Sequence, residues 1–165
     1  SSHNNLTNTK QKTATNFCIG VAGYPEKHNE APNFNSDLDV LKQKIDAGAE
    51  YIVTQMFYDN AHYFKFVDKC TKAGITVPIV AGIKPVSIEN HLNIIPKTFN
   101  VEIPEALEKA VRKCKSNSDV RQVGVEWATK QSADLIAAGI PAIHYYTMGR
   151  PDNIVQICEN VGFGK

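Results

Sequence analysis

Four short apolar runs, Phe17 to Ala22, Tyr51 to Phe57, Val77 to Ile83 and Ala142 to Tyr146, constrain this chain more than any other feature. None shows the in/out alternation of a strand wet on one face, so each suits a parallel strand covered on both sides. The stretches between them read as helices. Ser36, with Asp39 three residues on, is a capping-box signature; Leu38, Leu41 and Ile45 then share a face and Gly48 ends the helix. Asp59 or Asn60 opens a second helix with Tyr63, Phe66, Val67 and Cys70 inward and Gly74 at its end. Ser87 opens a shorter one carrying Ile88 and Leu92, and Pro104 suits the first turn of a helix bearing Leu107, Val111 and Cys114. In that helix Glu105 and Glu108 come early and Arg112, Lys113 and Lys115 late, matching its dipole. Helices over about Ser118 to Ala138 and Asp152 to Val161 complete the pattern. The order is strand, helix, strand, helix, strand, three helices, strand, helix, which predicts an α/β fold of parallel (β/α) units.

With 165 residues, 42% hydrophobic and 21% charged, the chain can bury one core. We expect one domain over residues 17–165 and, because Ser1 to Asn16 holds almost nothing to bury, a flexible polar arm over residues 1–16. A net charge of +1 with interspersed signs argues against nucleic acid as a partner. No apolar run approaches the roughly 20 residues of a membrane span, and the polar start lacks a signal-peptide pattern, so a cytoplasmic setting is expected. Cys18, Cys70, Cys114 and Cys158 lie far apart and read as reduced core residues.

In parallel α/β architectures ligands gather at the carboxyl ends of the strands. Here those ends carry Gly23 to His28, then Thr54 to Met56, then Gly82 to Lys84, then Tyr146, Thr147 and Arg150. There is no Gly-rich dinucleotide fingerprint, P-loop, His-Glu-x-x-His or Cys-x-x-Cys, and Glu26 and His28 have no partner at triad spacing.

Several motifs do combine: Val21-Ala22-Gly23-Tyr24-Pro25-Glu26-Lys27-His28, Asp46-Ala47-Gly48-Ala49, Thr54-Gln55-Met56-Phe57-Tyr58-Asp59-Asn60, Gly82-Ile83-Lys84-Pro85 and His144-Tyr145-Tyr146-Thr147-Met148. In order and spacing the sequence closely resembles the methylenetetrahydrofolate reductase family from about Phe17 to Phe163. The resemblance implies a TIM-type (β/α)8 barrel with FAD on its carboxyl face. A barrel needs about 250 residues, so this chain would supply roughly strands five to eight. The implied reaction passes hydride from NADH or NADPH through FAD to 5,10-methylenetetrahydrofolate, giving 5-methyltetrahydrofolate for one-carbon metabolism and methionine biosynthesis. By position, Tyr24, His28, Asp37 and Lys44 resemble contacts to FAD, Lys44 near the phosphates, while Val40 and Gln43 replace a polar residue and an arginine. Gln55 resembles the glutamine facing nicotinamide or pterin, Arg150 an arginine near the folate tail, and His91 stands where many members have a folate-contacting glutamine.

No catalytic residue is assigned in this chain. The strand-one glutamate that donates the proton, and the Arg-Gly-Asp loop after strand four, have no counterpart among these motifs. The alternative is a non-catalytic half-barrel that binds or assembles, needing a missing amino-terminal half. Half a barrel leaves sheet edges and an apolar face open, so self-association or pairing with that half is expected. Other readings are plainer. Asp37 can serve its helix end and Lys44 solvent; Tyr63, Phe64, Phe66 and Trp127 read as packing, His144 as a satisfied core histidine, and His3 and His62 as lacking metal-like partners.

Overall fold

The computed structural model describes residues 15–28, 30–149 and 151–163. Most of the polar arm expected over residues 1–16, with His3, lies outside the described residues. The element order is β1 (Gly20–Gly23), α1 (Phe34–Asp46), β2 (Tyr51–Thr54), α2 (Asn60–Lys72), β3 (Ile79–Ile83), α3 (His91–Phe99), α4 (Glu105–Arg112), α5 (Asn117–Ala137), β4 (Ile143–Tyr145) and α6 (Asp152–Asn160). All neighbouring strands pair parallel in the order β1-β2-β3-β4, as the apolar runs predict.

Register explains which face is dry. Ile52 pairs with Ile79 and Ile83 with Tyr145, so Ile52, Ile79, Ala81 and Ile83 share the face that packs on Leu41, Phe66, Cys70, Val125, Leu135 and Ile157 from α1, α2, α5 and α6. The other face, with Ala22, Tyr51, Val53, Val80 and His144, is half-exposed to exposed. A second cluster, including Met56, Tyr58, Val86, Leu92, Ile95, Leu107 and Val111, gathers α3, α4 and the start of α5.

Two helix starts differ from the sequence expectation. Helix α1 is capped by Asn33, whose Oδ1 accepts from Ser36 N at 2.9 Å, so it begins three residues before the serine signature; asparagine caps as well as serine does. Ser87 does not open α3. Its N–H donates to His91 Nδ1 at 3.2 Å and its hydroxyl to Pro85 O at 3.3 Å, and these local bonds hold the chain in a turn until His91.

The strands are also shorter than the apolar runs. Strand β2 parts from β3 at Thr54: Gly82 N donates to Thr54 Oγ1 at 2.9 Å, and Thr54 O accepts from Tyr146 Oη at 3.0 Å. Phe57 leaves the strand to stack on Tyr63, with ring centroids 5.6 Å apart. The cysteines are free, as expected, but only Cys70 is fully buried; Cys18 is exposed because β1 starts at Gly20. Phe64 is 41% exposed and His144 is exposed with its ring edge-on to Tyr146, so neither is the packed core residue its surroundings in the sequence suggest. Among the described residues no helix is long and apolar enough to cross a membrane.

Candidate functional site

The carboxyl end of β1 runs into a turn that shapes an open groove of about 650 Å³ lined by Tyr24, His28, Ser36, Asp37, Val40 and Lys44, among others. All four side chains assigned to a cofactor on sequence grounds therefore meet in one place. Lys27 holds the turn: it adopts a left-handed φ of 98°, and its Nζ donates to His28 O at 2.9 Å and Ala31 O at 2.6 Å. Asp37, from the first turn of α1, accepts the His28 N–H at 2.5 Å, so this carboxylate fixes the loop as well as lining the groove. Glu30 N donates to His28 Nδ1 at 3.2 Å, which leaves Nε2 as the ring N–H free to donate. The His28 ring stands edge-on to Tyr24, centroids 4.5 Å apart. Burial, then the Asp37 and Glu30 charges, raise the Tyr24 pKa, so its phenol stays a donor at neutral pH.

Gln55 sits one strand over, its N–H bonded to Gly23 O at 2.8 Å. Its Oε1 accepts from Met56 N at 3.0 Å, which meets part of the requirement of a polar group in an apolar run. The amide nitrogen makes no hydrogen bond to the described residues. Tyr146, from the far side of the sheet, has a pKa raised by burial and then by Tyr24.

His91 is elsewhere. It opens α3 and lines a separate cavity of about 800 Å³ with Lys84, Ser87, Asn117, Arg121 and Thr147. Arg150 lies outside the described residues. Sequence reasoning placed Lys84 at a strand end but gave it no role; it follows the last residue of β3, Ile83, and no local signal set it apart.

A further cluster joins two loops and the first turn of α2, distant in sequence. Glu26 Oε2 accepts from Glu102 N at 2.8 Å, its Oε1 is buried without a partner, and His62 Nε2 lies 3.8 Å from Glu102 Oε2. The expectation that His62 lacks partners of ligand type is thus corrected: donor atoms of Glu26, His62 and Glu102 lie within 4.8 Å of one another. Burial pushes the Glu26 carboxyl up, opposed by the Glu102 N–H and His62 and reinforced by Glu102 and Asp59. An acid whose pKa rises on folding carries a penalty that is absent below its unfolded pKa, grows as pH rises from there to the folded pKa, and is fully present above it. Glu26→Gln keeps an acceptor for Glu102 N and sheds that charge. Its Tm is expected to exceed the parent's at about pH 7 and to converge with it near pH 4, read by thermal denaturation across pH.

Comparison with known proteins places this geometry in a family. The family described as methylenetetrahydrofolate reductase matches residues 5–162. The chain belongs to the methylenetetrahydrofolate reductase family. It is 39% identical over 147 residues to methylenetetrahydrofolate reductase 1 of Schizosaccharomyces pombe, covering 88% of this chain and 24% of that protein. It is 36% identical over 155 residues to 5,10-methylenetetrahydrofolate reductase of Escherichia coli, covering 93% and 52%. This member of the methylenetetrahydrofolate reductase family thus spans between about a quarter and a half of the length of these relatives. Its fold resembles that of a Clostridium thermocellum protein described as binding two copies of 5-methyl-5,6,7,8-tetrahydrofolic acid, with a TM-score of 0.55, 19% identity, and coverage of 87% of this chain and 52% of that one.

Proposed function

We propose that this chain forms part of an FAD-dependent oxidoreductase that reduces 5,10-methylenetetrahydrofolate to 5-methyltetrahydrofolate with NAD(P)H, and that its sheet is strands five to eight of a (β/α)8 barrel. The observation that carries the reading is the meeting of Tyr24, His28, Asp37 and Lys44 on one groove at the carboxyl rim. The donor set fits a flavin nucleotide. Lys44 offers a cation to a diphosphate, the Tyr24 phenol and His28 Nε2 offer donors, and the apolar Val40 lines the same groove. When bound, the flavin supplies hydride transfer. The chain's own groups bind and orient: Gln55 presents an unengaged amide N–H to the second substrate beside the groove, with His91 and Arg150 serving the folate.

Titrating purified chain with FAD, followed by flavin fluorescence, tests this. Saturable binding is expected, weakened about tenfold in Lys44→Ala, the loss of one charge-assisted contact. No uptake of FAD, or an unchanged Lys44→Ala, would sink it. Menadione-coupled NAD(P)H oxidation then reads activity.

The second reading, a half-barrel that binds or assembles without catalysis, draws support from the sheet. Its β1 and β4 edges lack strand partners among the described residues, and the face bearing Tyr51, Val53 and Val80 is only half-covered. On this reading a second copy or a separate amino-terminal half covers that face, and light scattering finds an assembly larger than one chain.

A further inference from the structure

Three segments far apart in the chain bring ligating atoms together, and the flavin groove uses none of them. Glu26 comes from the turn after β1, His62 from the first turn of α2 and Glu102 from the loop between α3 and α4. One donor atom from each lies within 4.8 Å of the other two, and His62 Nε2 is 3.8 Å from Glu102 Oε2. In a tetrahedral site with metal bonds of about 2.0–2.1 Å, neighbouring ligand atoms stand about 3.4 Å apart. Closing the present spacing then takes a movement of about 1.4 Å at most, and the Glu102 side chain, 73% exposed, has room to make it.

The surroundings favour a cation. Glu26 Oε2 accepts from Glu102 N at 2.8 Å, which orients the carboxylate as supporting hydrogen bonds orient metal ligands. Glu26 Oε1 is buried with no hydrogen-bond partner among the described residues. A carboxylate oxygen withdrawn from water and left unpartnered is costly, and a bound ion is one way such a group is satisfied. No basic side chain fills that place: among the described residues no lysine or arginine pairs with Glu26, Glu102 or the neighbouring Asp59. Lys27, next in the chain, spends its ammonium on His28 O and Ala31 O. The two loops are also tied without the carboxylates, since Asn100 Nδ2 donates to Lys27 O at 3.4 Å.

Donor chemistry narrows the ion. An imidazole with two carboxylates suits zinc and similar transition metals, whereas magnesium and calcium prefer oxygen alone. We propose that Glu26, His62 and Glu102 form a binding site for a divalent cation of the zinc type, with water in the fourth position. The ion bridges the turn after β1, the start of α2 and the loop before α4. It thereby braces the turn that carries Lys27 and His28, yet its binding does not depend on the flavin reading.

The test strips the intact chain of metal with a chelator and titrates it with zinc chloride, read by calorimetry. Saturable uptake of one ion per chain is expected, weakened about tenfold or more in Glu26→Gln, His62→Gln and Glu102→Gln, because each removes a ligand. Glu26→Gln keeps the acceptor for Glu102 N and is expected to fold more stably than the parent at about pH 7, so lost binding there is not lost folding. Exposed Cys18 is the competing zinc ligand, and Cys18→Ser is expected to bind as the parent does. Thermal denaturation gives a second readout: zinc raises the parent's Tm by mass action and leaves that of Glu26→Gln unchanged. No saturable zinc uptake, uptake that survives His62→Gln or disappears in Cys18→Ser, or magnesium bound more tightly than zinc overturns the site.

Discussion

Gly124→Ala is expected to cost about 3 kcal/mol of stability, the upper end for forcing a methyl into a packed interior. A Cβ at this position in α5 would lie 1.8 Å from Val86 O and 2.8 Å from Val86 C. Both are backbone atoms, so no rotamer change relieves the clash; either α5 or the turn from Pro85 to Asn90 must move. That turn is held by Ser87 and His91 and tied to α6 through Asn153 Nδ2, which donates to Ser87 Oγ at 3.2 Å. Its displacement would carry Lys84 and His91 with it. Urea denaturation should show a lower midpoint with little change in slope, and a midpoint equal to the parent's would refute the close packing of helix on turn.

Gly82→Ala is expected to cost about 2–3 kcal/mol for a related reason with a different casualty. Its Cβ would sit 2.1 Å from Thr54 O and 2.9 Å from the Tyr146 ring. Moving the Thr54 carbonyl breaks its bond from Tyr146 Oη and strains the bond from Gly82 N to Thr54 Oγ1, the two contacts that close the gap where β2 leaves β3. Gly20→Ala is the control. A Cβ there meets the Tyr51 ring at 2.2 Å, the far end of a side chain on the more open face, which can swing aside. Comparable losses in the two variants would contradict this account, because only Gly82 abuts backbone.

Much of this architecture is written in the residues. The apolar runs give the four parallel strands, and Asp59 caps α2 through Ala61 N at 2.8 Å as its position suggests. What escapes is decided by contacts between distant segments. Ser87 has the chemistry of a cap, but His91 and Pro85 offer it other bonds. Phe57 extends an apolar run, yet leaves the strand because Tyr63 provides a stacking surface. Tyr24, His28, Asp37 and Lys44 converge because a turn and one helix bring them together over a short stretch of chain. The burial of Lys84 was not legible, since helices distant in sequence pack around it, and the Glu26, His62 and Glu102 cluster draws on two loops and the first turn of α2.

The strand order has a consequence for how the molecule assembles. Each strand lies against the one before it in the chain, so every new unit docks onto a surface already built and no early strand waits for a late one. Loop-closure entropy is then spent in small instalments, one crossover at a time, and no pairing among these four strands requires a closure longer than a single crossover.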